Sequence, residues 1–375
     1  MAGTSNLRQI NARRRALQFV GRTEQITTFK TNLALPVEER RYVWNLHGQG
    51  GVGKTTLLKR LLSLAAEAGA LTAFTDEASG DVLDVMATIS RDFSAQGAPL
   101  KKFEERYHRL LELLKQVQSD PDLPSELPSL IGRTLGRVGV EAARQLPFGG
   151  AAIGFIGEEN LVSKFGECVT FLTKKLKSND DVALTLKPVD VLTPIFLEDI
   201  CTYCADRTVA LGFDTYEKTA LYLDPWLCAI LEGRFGDFSA NSIIAIAGRD
   251  KLGDKWAEFL ELLHTDLLDP ITEEEARALL TAKGITDKAT SDLIIKLSGR
   301  IPLWVATLAS QSPKESESVQ DPASNAVERF LKWVSDEAMR RAALICALPR
   351  QFDADTVALL CGLRWLSTTS QRLSI

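Results

Sequence analysis

Eight consecutive residues, Gly48-Gln49-Gly50-Gly51-Val52-Gly53-Lys54-Thr55, carry the most legible chemistry of the chain. Glycines let a backbone curl round an anion without Cβ clashes and turn successive N–H groups inward. A lysine directly after the last glycine supplies a point charge for β- and γ-phosphates, and the hydroxyl of the residue after it can ligate Mg²⁺. Thr56 continues the run into a helix. Hydrogen bonds to charged groups contribute about 1.5–3 kcal/mol each, so a few of them give micromolar affinity without contact to a base. The flanks fit this reading. The apolar, β-branched and aromatic run 42–47 predicts a buried parallel strand. The run 56–62 predicts a helix whose N-terminus faces the same anion.

Composition removes several other chemistries. An apolar fraction of 45% and a charged fraction of 25% are those of an ordinary globular protein. A formal net charge of −5 gives no support to general nucleic-acid binding. No stretch approaches the length of a membrane span, and the basic N-terminus (Arg8, Arg13, Arg14, Arg15) has no apolar core behind it, so neither membrane partner nor secretory signal is expected. The chain has 6 cysteines. The pair Cys201 and Cys204 forms a lone CxxC without a second pair or a nearby histidine, which favours packing over zinc. A P-loop points to the reducing, ATP-rich cytoplasm.

The elements that must position the loop follow from periodicity. Further strands are predicted over 70–75, 208–213 and 242–247, and helices over 82–93 and about 100–117. The strand 208–213 ends in Asp214, where a Mg²⁺-binding acid belongs beside a P-loop, followed by Thr215, Tyr216 and Glu217. The strand 242–247 runs into Gly248-Arg249-Asp250. Open α/β sheets bind ligands outside the carboxyl ends of their strands, which puts these termini beside the loop. From about residue 265 the pattern turns helical, with Thr272-Glu273-Glu274-Glu275 as a capping box and a helix end at Gly299. Residues 311–325 read as a linker.

In order, Phe19-Val20-Gly21-Arg22, the G-x-G-G-V-G-K-T-T loop, Phe213-Asp214-Thr215-Tyr216-Glu217, Ala247-Gly248-Arg249 and Gly299-x-x-Pro302-Leu303 resemble the motifs of the STAND NTPases, a class related to the NB-ARC and AAA+ proteins; the segment 214–227 looks bacterial. The resemblance spans about residues 19–360. It implies ATP and ADP as ligands with Mg²⁺ held by Thr55 and Asp214, and a catalytic set of Lys54, Asp214, Glu217 and Arg249. Arg249 would read the γ-phosphate. Glu217 would either position the attacking water or serve as a hydrogen-bonding loop acid. Gly21 and Arg22 would lie near base and ribose, and Pro302 would touch the nucleotide from the helical segment.

The expected fold is α/β: a parallel P-loop NTPase sheet flanked by helices, followed by a helical domain and the start of a winged-helix domain. The expected boundaries are an N-terminal arm at 1–18, the NTPase domain at 19–264 with a helical insertion at about 95–190, a lid-like helical domain at 265–310, the linker at 311–325 and a partial winged-helix-like domain at 326–375. The expected function is a slowly hydrolysing signalling switch, homo-oligomeric when ATP-bound, with a protein partner or a C-terminal sensor domain supplied from outside this sequence. An AAA+ initiator-like ATPase acting with DNA is the alternative, disfavoured by the acidic balance. A small-molecule kinase is a third reading, for which no acceptor pocket or lid is legible.

Overall fold

The computed structural model describes residues 19–122, 169–176 and 178–311. The expected N-terminal arm, winged-helix segment and linker (but for Gln311) and the middle of the expected insertion lie outside these residues. Two compact units are present, residues 1–275 with Ile301–Leu303, and residues 276–300 with 304–375.

The apolar runs of the first unit form the sheet. Strands β1 (Val43–His47), β2 (Leu71–Thr75), β3 (Val209–Phe213), β4 (Ser242–Gly248) and β5 (Leu263–Leu267) lie in the order β2-β3-β4-β1-β5, and every pairing is parallel. Every residue of β3 and β4 is buried, as helices on both faces require. The sequence-based reading missed β5. Its Leu-His-Thr-Asp-Leu is polar and half-exposed at the sheet edge, so it lacks the apolar run that marks the other strands. It also crosses the expected boundary at 264, so the sheet extends past that point.

One face of the sheet is covered by α1 (Thr23–Ala34) and α2 (Lys54–Glu67). Leu57, Leu58 and Leu61 of α2 meet Leu46, Ala210, Ala245 and Ala247, and Phe29 of α1 stands edge-on to Trp44 at 4.9 Å. The sheet residues under α2 are small. At Gly212 a Cβ would come within 2.6 Å of Leu62 Cδ1, so this glycine lets α2 press close over β3.

The other face carries α3 (Val82–Ser94), α4 (Lys101–Gln118), α5 (Asn179–Leu186), α6 (Pro188–Cys204), α7 (Tyr216–Leu231) and a 3₁₀ segment at Asp254–Leu262. The apolar stripe of α4 is core: Phe103, Leu110 and Leu114 are buried with Leu192 and Phe196 of α6. A polar clamp adds to it, with Arg109 Nη2 2.6 Å and Nε 3.3 Å from the Asp181 carboxylate. Asn45 of β1 is fully buried, and neither amide atom has a partner among the described residues, which costs about 1–3 kcal/mol.

Of the CxxC pair, Cys204 is buried and Cys201 half-buried, with Cys201 Sγ 3.5 Å from the Asp237 carbonyl. Cys204 is buried with Sγ 3.5 Å from Ser242 Oγ, and among the described residues no cluster of His, Cys, Asp or Glu is placed to hold a metal. None of the described helices is long and apolar enough to cross a membrane. In the second unit, α9 (Lys288–Ser298) is capped by Asp287, whose carboxylate accepts from Thr290 N at 2.7 Å. The helix ends at Gly299 with φ 55°, the left-handed stop that glycine makes at little cost.

Asp81 caps α3, its Oδ1 accepting from Asp84 N at 2.9 Å. Burial raises its pKa from 3.8 to about 6, with the Asp84 N–H opposing the rise and the Asp84 carboxylate adding to it. The folded pKa exceeds the unfolded one, so this stabilisation is complete below pH 3.8 and lost as pH climbs through about 6. Asp81→Asn keeps a capping oxygen and carries no charge. Urea unfolding should find the variant more stable than the wild type by about 1–3 kcal/mol at pH 7.5 and indistinguishable from it near pH 4.

Candidate functional site

Parallel pairing brings every strand's carboxyl end to one edge of the sheet. β1 leads through α2 to β2, and β4 leads the opposite way to β5, so the crevice between β1 and β4 is a topological switch point, where open α/β sheets bind ligands. The glycine loop leaves β1 at this point.

The loop's shape depends on left-handed glycines. Gly48, Gly51 and Gly53 have φ of 144°, 83° and 95°. At Gly48 a Cβ would lie 2.7 Å from the Leu268 carbonyl oxygen. Gly48 N donates to the Arg249 carbonyl at 3.1 Å, which joins the start of the loop to the end of β4. Gly50 meets no such crowding. Val52 is buried in the core under α2, so only its backbone is left to serve the loop.

Lys54 Nζ donates to the carbonyls of Gly48 at 2.6 Å and Gln49 at 2.9 Å. An ammonium has three donors, so a third remains for an anion. Burial lowers the pKa of Lys54, against the pull of Glu217 and with the push of Arg249. These two groups therefore sit within electrostatic reach of the lysine. Thr55 Oγ1 donates to Asp214 Oδ1 at 3.0 Å. Asp214 is buried, and burial raises its pKa while the Thr55 bond holds it down. A hydroxyl and a carboxylate oxygen side by side form a hard-oxygen donor pair of the kind that Mg²⁺ takes. The residues present fit that ion.

Glu217, on the first turn of α7, faces Arg249. Its Oε2 accepts from Arg249 N at 3.0 Å, and its Oε1 lies 3.4 Å from Arg249 Nε. The two residues singled out in sequence thus form a pair, with the acid acting as a hydrogen-bonding anchor for the end of β4. Thr215, which precedes α7, holds φ 53° and ψ 41°, uncommon for a β-branched residue. Such a position costs about 1–3 kcal/mol and clusters at functional sites.

Two further segments reach the loop from within the first unit. Arg22 Nη2 donates to the carbonyls of Val52 at 3.0 Å and Asp269 at 2.6 Å. Burial lowers its pKa, and Glu275 opposes that. Arg22 is left-handed with φ 57°, as is Gly21 with φ 86°, and Arg22 N donates to Glu275 Oε1 at 2.7 Å. Glu275 also closes the expected capping box of α8 (Glu273–Ala282), its Oε2 accepting from Thr272 N at 2.8 Å. Arg22 is therefore committed to backbone carbonyls beside the loop. Pro302 begins α10 (Pro302–Gln311), Leu303 N donates to Gly51 O at 3.2 Å, and Ile301 and Leu303 crowd the Cα of Gly51.

No family model and no curated relative matches the sequence. Among solved structures, a Walker-type ATPase of Pyrococcus abyssi is similar at 13% identity and a TM-score of 0.41, over 84% of this chain and 73% of that one. The site therefore rests on its own geometry.

That geometry brings together Lys54, Thr55, Asp214, Glu217 and Arg249, and sets Arg22 and Pro302 beside the loop. Sequence reasoning missed Glu275 as the partner of Arg22. Glu275 carried a signal in its capping box. Gly48→Ala should destabilise the fold by about 1–3 kcal/mol, since φ and the Leu268 carbonyl both oppose a side chain; Gly50→Ala should be nearly neutral. Urea unfolding of the two variants checks the contrast.

Proposed function

We propose that the chain binds ATP and ADP with Mg²⁺ and serves as a slowly hydrolysing nucleotide switch of STAND type. The observation that carries the nucleotide reading is the Thr55–Asp214 hydrogen bond beside a lysine folded onto its own glycine loop. Lys54 and the loop N–H groups would bind the β- and γ-phosphates, and Thr55 and Asp214 would hold Mg²⁺. When bound, that ion would neutralise charge that develops on the phosphates.

Two features favour a switch over a fast enzyme. Glu217 is engaged at both oxygens by Arg249, so activation of water requires that pair to part. The loop also touches Ile301–Leu303, which precede the main part of α10. Occupancy at the loop therefore has a direct route to that helix. Nucleotide-dependent oligomerisation belongs to this proposal, as do an outside protein partner and a cytoplasmic location.

Lys54→Ala should weaken ATP binding by 100-fold or more, on the order of the loss of a buried charged contact. Asp214→Asn should retain much of the binding and lose Mg²⁺-dependent hydrolysis. Titration calorimetry and phosphate release check both. Equal ATP affinity in Lys54→Ala and wild type would refute the site. Light scattering with ADP and with ATP tests the switch, and an unchanged particle size with full-length protein and its partner present would count against it. DNA-stimulated hydrolysis that weakens with salt would instead favour the initiator-like alternative.

A further inference from the structure

Gly21 and Arg22 both take left-handed backbone angles, φ 86° and 57°, directly ahead of α1. Glycine makes such a turn at little cost, and arginine keeps it only where its surroundings hold it. Glu275 does the holding, its Oε1 accepting from Arg22 N at 2.7 Å. A Cβ at Gly21 would lie 2.6 Å from that same oxygen, so glycine is what lets the carboxylate in. The other oxygen, Oε2, accepts from Thr272 N at 2.8 Å, which anchors the acid independently of the turn.

The turn aims the arginine side chain. Its Nη2 carries two hydrogens, and both are engaged: one on the Val52 carbonyl at 3.0 Å, the other on the Asp269 carbonyl at 2.6 Å. Asp269 follows Leu268, whose N–H donates to His47 O at 2.7 Å and whose carbonyl crowds Gly48. The glycine loop is thus tied at its start by the chain that leaves β5, and at Val52 by Arg22.

In a trans peptide the C=O and the N–H point in opposite directions. The Val52 carbonyl shares its peptide unit with the Gly53 N–H, so a hydrogen bond from Arg22 to the one turns the other away from the arginine. Gly53 is the N-cap of α2, and the N–H groups at a helix N-terminus are those that receive an anion.

We propose that Arg22 is a positioning residue for the phosphate loop and makes no contact with base or ribose: held in its turn by Glu275, it grips the Val52 carbonyl and so aims the Gly53 N–H at the phosphate. This rests on the reading of the loop as a nucleotide site. It gives the Gly21-Arg22 pair and Glu275 one shared task.

Titration calorimetry with two probes, Mg²⁺-ADP and Mg²⁺-pyrophosphate, tests it. Pyrophosphate has neither base nor ribose. The titrations are run well below each variant's unfolding transition, where a loss of stability alone leaves affinity unchanged. Arg22→Ala should lose about tenfold for both probes, the measure of one misaligned hydrogen bond to a charged group. Gly21→Ala keeps the arginine side chain but crowds Glu275, and should give the same pair of losses. Glu275→Ala should do so too, and the Arg22→Ala, Glu275→Ala double variant should be no worse than either single one.

A loss for ADP with pyrophosphate unchanged would put Arg22 on the base or ribose and overturn the inference. Unchanged affinity for both probes in Arg22→Ala would overturn it as well, and additive losses in the double variant would remove Glu275 from it. Wild type that binds ADP and not pyrophosphate would place the binding energy on base and ribose, overturning this inference while leaving a nucleotide site. Wild type that binds neither would overturn the nucleotide reading and this inference together.

Discussion

The hydrogen bond from Thr55 to Asp214 spans a gap that the sheet itself leaves open. The two residues follow β1 and β3, and β4 lies between those strands. Neighbouring strands stand about 4.8 Å apart, so the ends to be joined are separated by roughly 10 Å. Only a helix that starts at the loop and leans across β4 closes that distance. The residues beneath α2 permit it: Ala245 and Ala247 on β4, then Ala210 and Gly212 on β3, where Leu62 fills the space a Cβ would take. A row of small residues within the sheet is thus a condition of the Thr55–Asp214 geometry. Larger residues there would lift α2 and pull the hydroxyl away from the acid.

The same constraint explains why the ends of β3 and β4 are stitched together. With β4 between loop and acid, its terminus must neither block the crevice nor drift from it. Gly48 N takes the Arg249 carbonyl on one side, and Glu217 takes the Arg249 N–H on the other. One residue is therefore held by both peptide groups, one to each neighbour in the sheet. Its guanidinium lies half-exposed beside Glu217, close enough to influence Lys54. On the proposed reading, movement of this arginine toward a phosphate would loosen the Glu217 contact and so link occupancy of the site to the disposition of α7.

Much of this was legible in the residues alone, for physical reasons that differ by element. The loop was legible because left-handed backbone demands glycine and phosphate demands a cation. β3 and β4 were legible because burial on both faces leaves only apolar runs. The acid and the arginine followed from the rule that strand termini share one edge. β5 was not legible, since an edge strand needs no apolar run. Nor was the conformation of Thr215, because a left-handed threonine looks like any other threonine in sequence. The association of Arg22 with Glu275 was hidden in the same way, although the capping box was evident as a local pattern.

On the proposed reading, the electrostatics around the loop bear on the form of the ligand. A bare anion-binding loop offers N–H groups, a helix terminus and a lysine. Here Glu217, Asp214 and Asp250 all act on that lysine as well. Asp214 is buried, so its charge is poorly screened by water. On the proposed reading, a free triphosphate entering this crevice would meet Lys54 and Arg249 together with three carboxylates, one of them paired with Arg249. A divalent cation held by Asp214 and Thr55 would offset the charge of that buried acid. On the proposed reading, the carboxylates therefore act as a filter that admits the metal complex and disfavours the naked anion. The glycine loop by itself could not make that distinction.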